Sequence, residues 1–159
     1  MRQGPVAGAL AGLGAGFVFG VMLQMLSAPM PAGGSVPMIV MVAGILRSDS
    51  VIVGWLYHLI NSVVIGGIFA WFLGERIGNK FARGAGWGVA YGFVWWVMGG
   101  LVLMPLMLGM AAFSPLRTMP VAAFGSLLGH ALFGYVLGVG LAWLQRPSQA
   151  DALGRVQTA

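Results

Sequence analysis

Long apolar runs, broken only by short polar segments, leave this chain few ways to fold. The interruptions Arg47–Ser50 and Gly74–Arg83 are brief, and the flanking runs approach or exceed the roughly 20 residues a helix needs to cross a bilayer. Of 159 residues, 59% are hydrophobic and 7% charged, and mean hydropathy is +0.93. A soluble domain carries far more polar surface. The fold class is therefore all-α: a polytopic membrane protein with four transmembrane helices. A single domain is expected over residues 1–145, with 146–159 as a short cytoplasmic tail.

In chain order, a first helix is expected from Pro5 to Ser27, read as a retained span because no small-residue cleavage site follows its apolar run. Gln24 is its one strongly polar late side chain, to be satisfied by a neighbouring helix or at the interface. The Pro- and Gly-rich stretch from Ala28 breaks that helix. Val36–Leu46 is too short to span and reads as an interfacial or re-entrant helix. Asp49 or Ser50 is placed to cap the next helix, expected over Val51–Leu73. The hydrophilic segment Gly74–Arg83 leads to a third helix from Gly84, kinked or ended by Pro105. After an irregular Met107–Pro120 connection, a fourth helix covers Val121–Leu144.

Small residues recur every fourth position in each span. Gly4, Gly8, Gly12, Gly16 and Gly20 form one stripe, and Gly84, Gly88, Gly92 and Gly100 another, with Trp96 interrupting it. Gly54, His58, Ser62, Gly66 and Ala70 form a third, matched 72 residues later by Ser126, His130, Gly134, Gly138 and Ala142. Such stripes let helix backbones approach in lipid, where every backbone group must be paired internally. Gly12, Gly16 and Gly20 map onto Gly84, Gly88 and Gly92 at the same spacing. The chain thus reads as a parallel 2+2 internal repeat, about 5–73 and 77–145, with its approximate axis along the membrane normal.

The net charge of +5 carries no basic cluster or basic amphipathic helix, so nucleic-acid binding is not indicated. Arg2, Arg76, Lys80, Arg83, Arg146 and Arg155 fall on one side, and Arg47 and Arg117 on the other. The positive-inside rule then places both termini in the cytoplasm. Trp71 and Trp143, near the cytoplasmic ends of their helices, suit the interface. The absence of cysteine removes disulfides and thiolate ligands from consideration.

His58 and His130, the only histidines, are the leading candidate residues. Each lies about 10–15 Å along its helix, deep enough to be noteworthy. They can cross-link helices by hydrogen bonds, line the site of a small ligand or ion, or ligate copper or haem b. Methionines gather in the outer half, and Met104, Met107 and Met110 are possible soft-metal ligands alongside imidazole. Methionine is also a common filler between uneven helix faces. Tyr91, Trp95 and Trp96 suit packing or an apolar ligand groove. Asp49, Glu75 and Asp151 form no carboxylate pair, nothing in the spacing of Ser126, His130 and Asp49 supports a triad, and neither a P-loop nor a dinucleotide fingerprint occurs.

His58–Gly66 and Gly129–Gly138, preceded by Tyr91, Gly92 and Trp95, resemble uncharacterised four-helix bacterial inner-membrane proteins with histidine/glycine stripes. The resemblance implies location in a bacterial cytoplasmic membrane and supplies no catalytic residue. The expected role is non-enzymatic, structural or accessory, with the histidine stripes organising the fold and no cofactor. The alternatives are a small-ligand or ion transporter or binding protein using His58 and His130, and a haem or copper protein. Membrane lipids, and a homo-oligomer or larger membrane complex, are the expected partners.

Overall fold

The computed structural model describes residues 4–30 and 33–147. The first helix, α1 (Gly4–Met25), is followed by two three-residue strands, β1 (Ser27–Pro29) and β2 (Ser35–Pro37), paired antiparallel. A short α2 (Met38–Gly44) leads to α3 (Val51–Ile77) and then α4 (Phe81–Met107). A single-turn α5 (Pro115–Thr118) precedes α6 (Pro120–Leu144). The helices α1, α3, α4 and α6, of 22, 27, 27 and 25 residues, are long and apolar enough to cross a membrane. At about 1.5 Å per residue each exceeds the roughly 30 Å of a hydrocarbon core. The protein is an all-α membrane protein, with four such helices among the described residues.

Each hairpin closes through small residues. A Cβ added at Gly8 would overlap Gly66 and Ala70, and one at Gly12 would overlap Ser62 and Gly66. Gly16 lies against Ser62, and Gly20 lies under the Trp55 ring. In the second hairpin Gly84 meets Gly138 and Ala142, Gly88 meets Gly134 and Gly138, and Gly92 meets His130 and Gly134. Any side chain at Gly12 or Gly88 would strike a backbone carbonyl, so these positions fix the helix separation. Partner by partner, Gly8, Gly12 and Gly16 stand where Gly84, Gly88 and Gly92 stand. That is one turn earlier than the 72-residue spacing places them.

The two hairpins are joined by α1 and α6. Gly125 packs on Leu26, Gly129 on Phe19 and Gly140 on Ala11, an antiparallel contact along most of both helices. Phe69, Leu137, Leu141 and Ala142 are fully buried in the resulting core. Outward faces are apolar as well: Ile52, Trp71, Phe72 and Val121 are all more than 70% exposed, as lipid-facing side chains would be.

Several local features differ from the sequence reading. The hydrophilic segment Gly74–Arg83 is mostly helical, since α3 continues to Ile77 and α4 starts at Phe81. Only Gly78–Lys80 turns, with Gly78 at φ +53° donating to Gly74 O at 2.9 Å. Charged Glu75 and Arg76 are compatible with a helix end that reaches into water. Ser50 occupies the N-cap position of α3 without a side-chain cap bond; its N–H instead donates to Ser48 Oγ at 3.1 Å. Val36–Leu46 is helical only from Met38 to Gly44, because its first residues pair as β2. Ile39 of α2 lies fully buried against Gly54 at the start of α3. Gln24 is satisfied by a neighbouring helix, accepting from Trp55 Nε1 at 3.3 Å.

Pro105 neither ends α4 nor leaves it regular. Trp96–Leu103 is wound as π-helix just before it, a common way to absorb a lost i→i−4 bond. The carbonyl four residues before the proline, Leu101 O, accepts the Phe113 N–H at 2.7 Å from the following connection. Arg2, Asp151 and Arg155, and the tail from Ser148 onward, lie outside the described residues.

Candidate functional site

The site grows out of the two hairpins. In the first, the His58 ring on α3 reaches across to α1, with Nε2 2.9 Å from Gly16 O. A Cβ added at Gly16 would overlap Ser62, one turn on from His58. A carbonyl oxygen only accepts, so Nε2 holds the proton and Nδ1 of the uncharged ring holds a lone pair. Ser62, one turn on, donates its hydroxyl to His58 O at 2.7 Å.

His130 of α6 is used differently. Its Nδ1 lies 2.8 Å from Ser126 O and 3.3 Å from Ser126 Oγ, one turn back along its own helix. By the same reasoning Nδ1 holds the proton and Nε2 the lone pair. Among the described residues no hydrogen bond reaches His58 Nδ1 or His130 Nε2.

Phe19 of α1 packs against both imidazoles. Its ring centroid is 5.4 Å from that of His58 and 4.7 Å from that of His130, edge-on to both. Phe19 is buried, and a Cβ at Gly129 would overlap its ring, so Gly129 opens the space that Phe19 fills. Apolar Phe19 gave no signal in the sequence beyond its place beside the glycine stripe.

Both imidazoles line a cavity of about 390 Å³ between α3 and α4, floored by α1 and α6. Its walls are largely apolar: Met38, Met41, Met104, Met107, Met110 and Met119 join Tyr57, Trp95, Trp96 and Phe133. Asn61, Ser62 and Ser126 are the other polar residues near the histidines. The edge residues Val64, Ile68, Leu103 and Met107 are exposed, so the cleft opens sideways between α3 and α4. The Tyr91 hydroxyl bridges the same two helices nearer their shared turn, donating to Ile65 O at 3.0 Å. Trp96 is locked by a 3.1 Å bond from Nε1 to Ala123 O.

All five candidate ligands from the sequence, His58, His130, Met104, Met107 and Met110, therefore line one cavity. Asn61 and Tyr57 were missed, although each adjoins the histidine stripe on α3. Among the stripe glycines, Gly8, Gly12, Gly66, Gly88 and Gly138 lie in the hairpin contacts, away from the cleft, whereas Gly100 lines it. A second cavity, of about 400 Å³, lies at the opposite end near Gly4, Trp71, Glu75 and Gln145. With its amide nitrogen turned toward α3, Gln145 donates to Gly74 O at 3.2 Å and Gly78 O at 2.6 Å. Arg146 lies over the Phe81 ring, 4.0 Å from its centroid, at the same end.

No protein-family model matches the chain, and neither curated proteins nor solved structures provide a match. The resemblance to bacterial four-helix inner-membrane proteins thus gains no support beyond the four apolar helices themselves.

Proposed function

We propose that the protein is a non-enzymatic membrane protein that binds a small apolar ligand from the bilayer in the cleft between α3 and α4. The observation that carries this reading is a sideways-open apolar cavity with two imidazole nitrogens that have no hydrogen-bond partner among the described residues. A volume of about 390 Å³ falls within the range of small-molecule sites, which combine apolar walls with a few placed polar groups. His58 also serves the packing role expected of it, through its bond to Gly16 on α1. Among the described residues His130 ties no second helix by hydrogen bonding, which leaves it the stronger candidate for ligand contact.

The two hairpins are read as copies of one unit in parallel orientation. Support comes from their matching small-residue contacts, offset by 72 residues between α3 and α6 and by 76 between α1 and α4. Arg76, Lys80, Arg83 and Arg146 gather at the end bearing the α3–α4 turn, so this end and both termini are assigned to the cytoplasm of a bacterial inner membrane.

Copper is the second reading, favoured by one observation: Met104, Met107 and Met110 line the same cavity as both imidazoles. Thioether and imidazole suit Cu(I). A bis-imidazole haem fits less well, because the Phe19 ring already packs against both histidines.

The test is a filled cleft. A Cβ at Gly100 meets Trp96, His130 and Ser126 at ordinary contact distances of 3.5–3.7 Å, so Gly100→Leu adds bulk at the polar end of the cavity. Native mass spectrometry of protein extracted in mild detergent is expected to show a bound small molecule in the wild type and none in Gly100→Leu. Identical spectra from the two, free of any bound molecule, would count against the ligand reading. Cu(I) retained by the wild type and lost on replacing Met104, Met107 and Met110 by Leu would favour the second.

A further inference from the structure

We infer that the cleft selects hydroxyl-bearing aromatic molecules, phenols or hydroquinones, over ethers and carbonyl compounds of the same shape. The inference rests on the proposed binding role of the cleft and adds the chemical class of its ligand. The two imidazoles have their protons committed in opposite senses: His58 Nε2–H to Gly16 O at 2.9 Å, and His130 Nδ1–H to Ser126 O at 2.8 Å. What each uncharged ring has left for the cavity is a lone pair, which takes a hydrogen bond and cannot give one. A ligand hydroxyl satisfies such a nitrogen. An ether or carbonyl oxygen at the same place sets two lone pairs against each other and leaves the imidazole unpaired in apolar surroundings.

The neighbouring polar groups do not reverse this preference. The Ser62 hydroxyl is committed to His58 O and the Trp96 N–H to Ala123 O. Asn61, Tyr57 and Ser126 can still donate or accept, so they tolerate either kind of ligand without relieving the imidazoles. The walls favour a flat ring: Phe19, Tyr57, Trp95 and Trp96 offer aromatic surfaces beside the histidines. Entry is from the side, between exposed Val64 and Ile68 on α3 and Leu103 and Met107 on α4, where a bilayer-dissolved aromatic would arrive.

The experiment compares 2-naphthol with 2-methoxynaphthalene, its methyl ether, in saturable binding to the full chain in phosphatidylcholine nanodiscs, corrected for empty discs. The wild type is expected to bind the naphthol roughly tenfold more tightly than the ether. His130→Phe, which keeps a flat ring and removes the lone pair, is expected to cut that ratio to about threefold or less. Gly100→Leu is expected to abolish saturable binding of both. Equal affinities in the wild type, with both lost in Gly100→Leu, would overturn the selectivity while leaving the cleft a binding site. A wild-type preference unchanged in His130→Phe would overturn the assignment to that imidazole. Saturable binding of neither probe to the wild type would overturn the selectivity and the binding role together.

Discussion

The α1–α3 and α4–α6 hairpins close on the same arrangement of small residues but fill the space beside it differently. In the first, the indole comes from α3: Trp55 lies over Gly20 and bonds to Gln24 on α1. In the second it comes from the other partner, with Trp96 of α4 bonding to Ala123 on α6. The histidines differ in the same way. His58 spans the hairpin to Gly16, whereas His130 folds back on Ser126. Backbone approach sets the spacing of both hairpins, while single side chains decide which imidazole also bonds across its hairpin and which folds back on its own helix. Similar scaffolds therefore need not carry similar sites.

Phe19 is the residue both halves share, so its removal should break the comparison most severely. Phe19→Ala empties the space beside the imidazoles and over Gly129, and is expected to cost about 4 kcal/mol, the usual range for a buried Phe→Ala. Reversible unfolding in mixed micelles would measure it, and a loss under 1 kcal/mol would show that Phe19 does not hold the halves together. The glycine contacts test whether the hairpins are equivalent. Gly12→Leu and Gly88→Leu each drive a side chain onto a facing carbonyl and should each destabilise by about 3 kcal/mol. Markedly unequal losses in the same unfolding assay would separate the two hairpins.

Smaller effects sharpen the contrast between the histidines. His58→Ala removes an interhelical bond and should cost about 1 kcal/mol, with a smaller loss for His130→Ala, whose bond stays within α6. The reverse order would move the packing role to His130. Gly14 and Gly86 face open space, so Gly14→Ala and Gly86→Ala are expected to change stability by no more than about 1 kcal/mol, in the stabilising direction. A large loss at either, seen as a lower melting temperature in detergent, would reveal a contact made by another molecule.

The four long helices were legible because their apolar runs have the length a bilayer demands, and the hairpin glycines because close approach in lipid requires small residues at helical spacing. Other features had no comparable signature. Ser27–Pro29 and Ser35–Pro37 pair as strands although their serines and prolines read as a break in the chain. The π-helical Trp96–Leu103 has the composition of ordinary helix; Pro105 signalled a disturbance there without giving its form. Charges at Glu75 and Arg76 suggested a loop where the helix simply projects further. Within the site, sequence periodicity singled out both histidines. It could not show Phe19 against both of them, because that depends on how α1 crosses α6, nor the cleft, which depends on how loosely α3 faces α4.

The central claim is that two similarly placed imidazoles spend opposite nitrogens on the backbone and leave one lone pair each for the cleft. Side-chain nitrogen NMR of histidine-labelled protein in lipid nanodiscs reads this directly, with His58→Ala and His130→Ala assigning the signals. The expected result is a proton on Nε2 of His58 and on Nδ1 of His130, with the other nitrogen of each ring bare. The same tautomer in both rings, or two protonated nitrogens in either, would contradict the account.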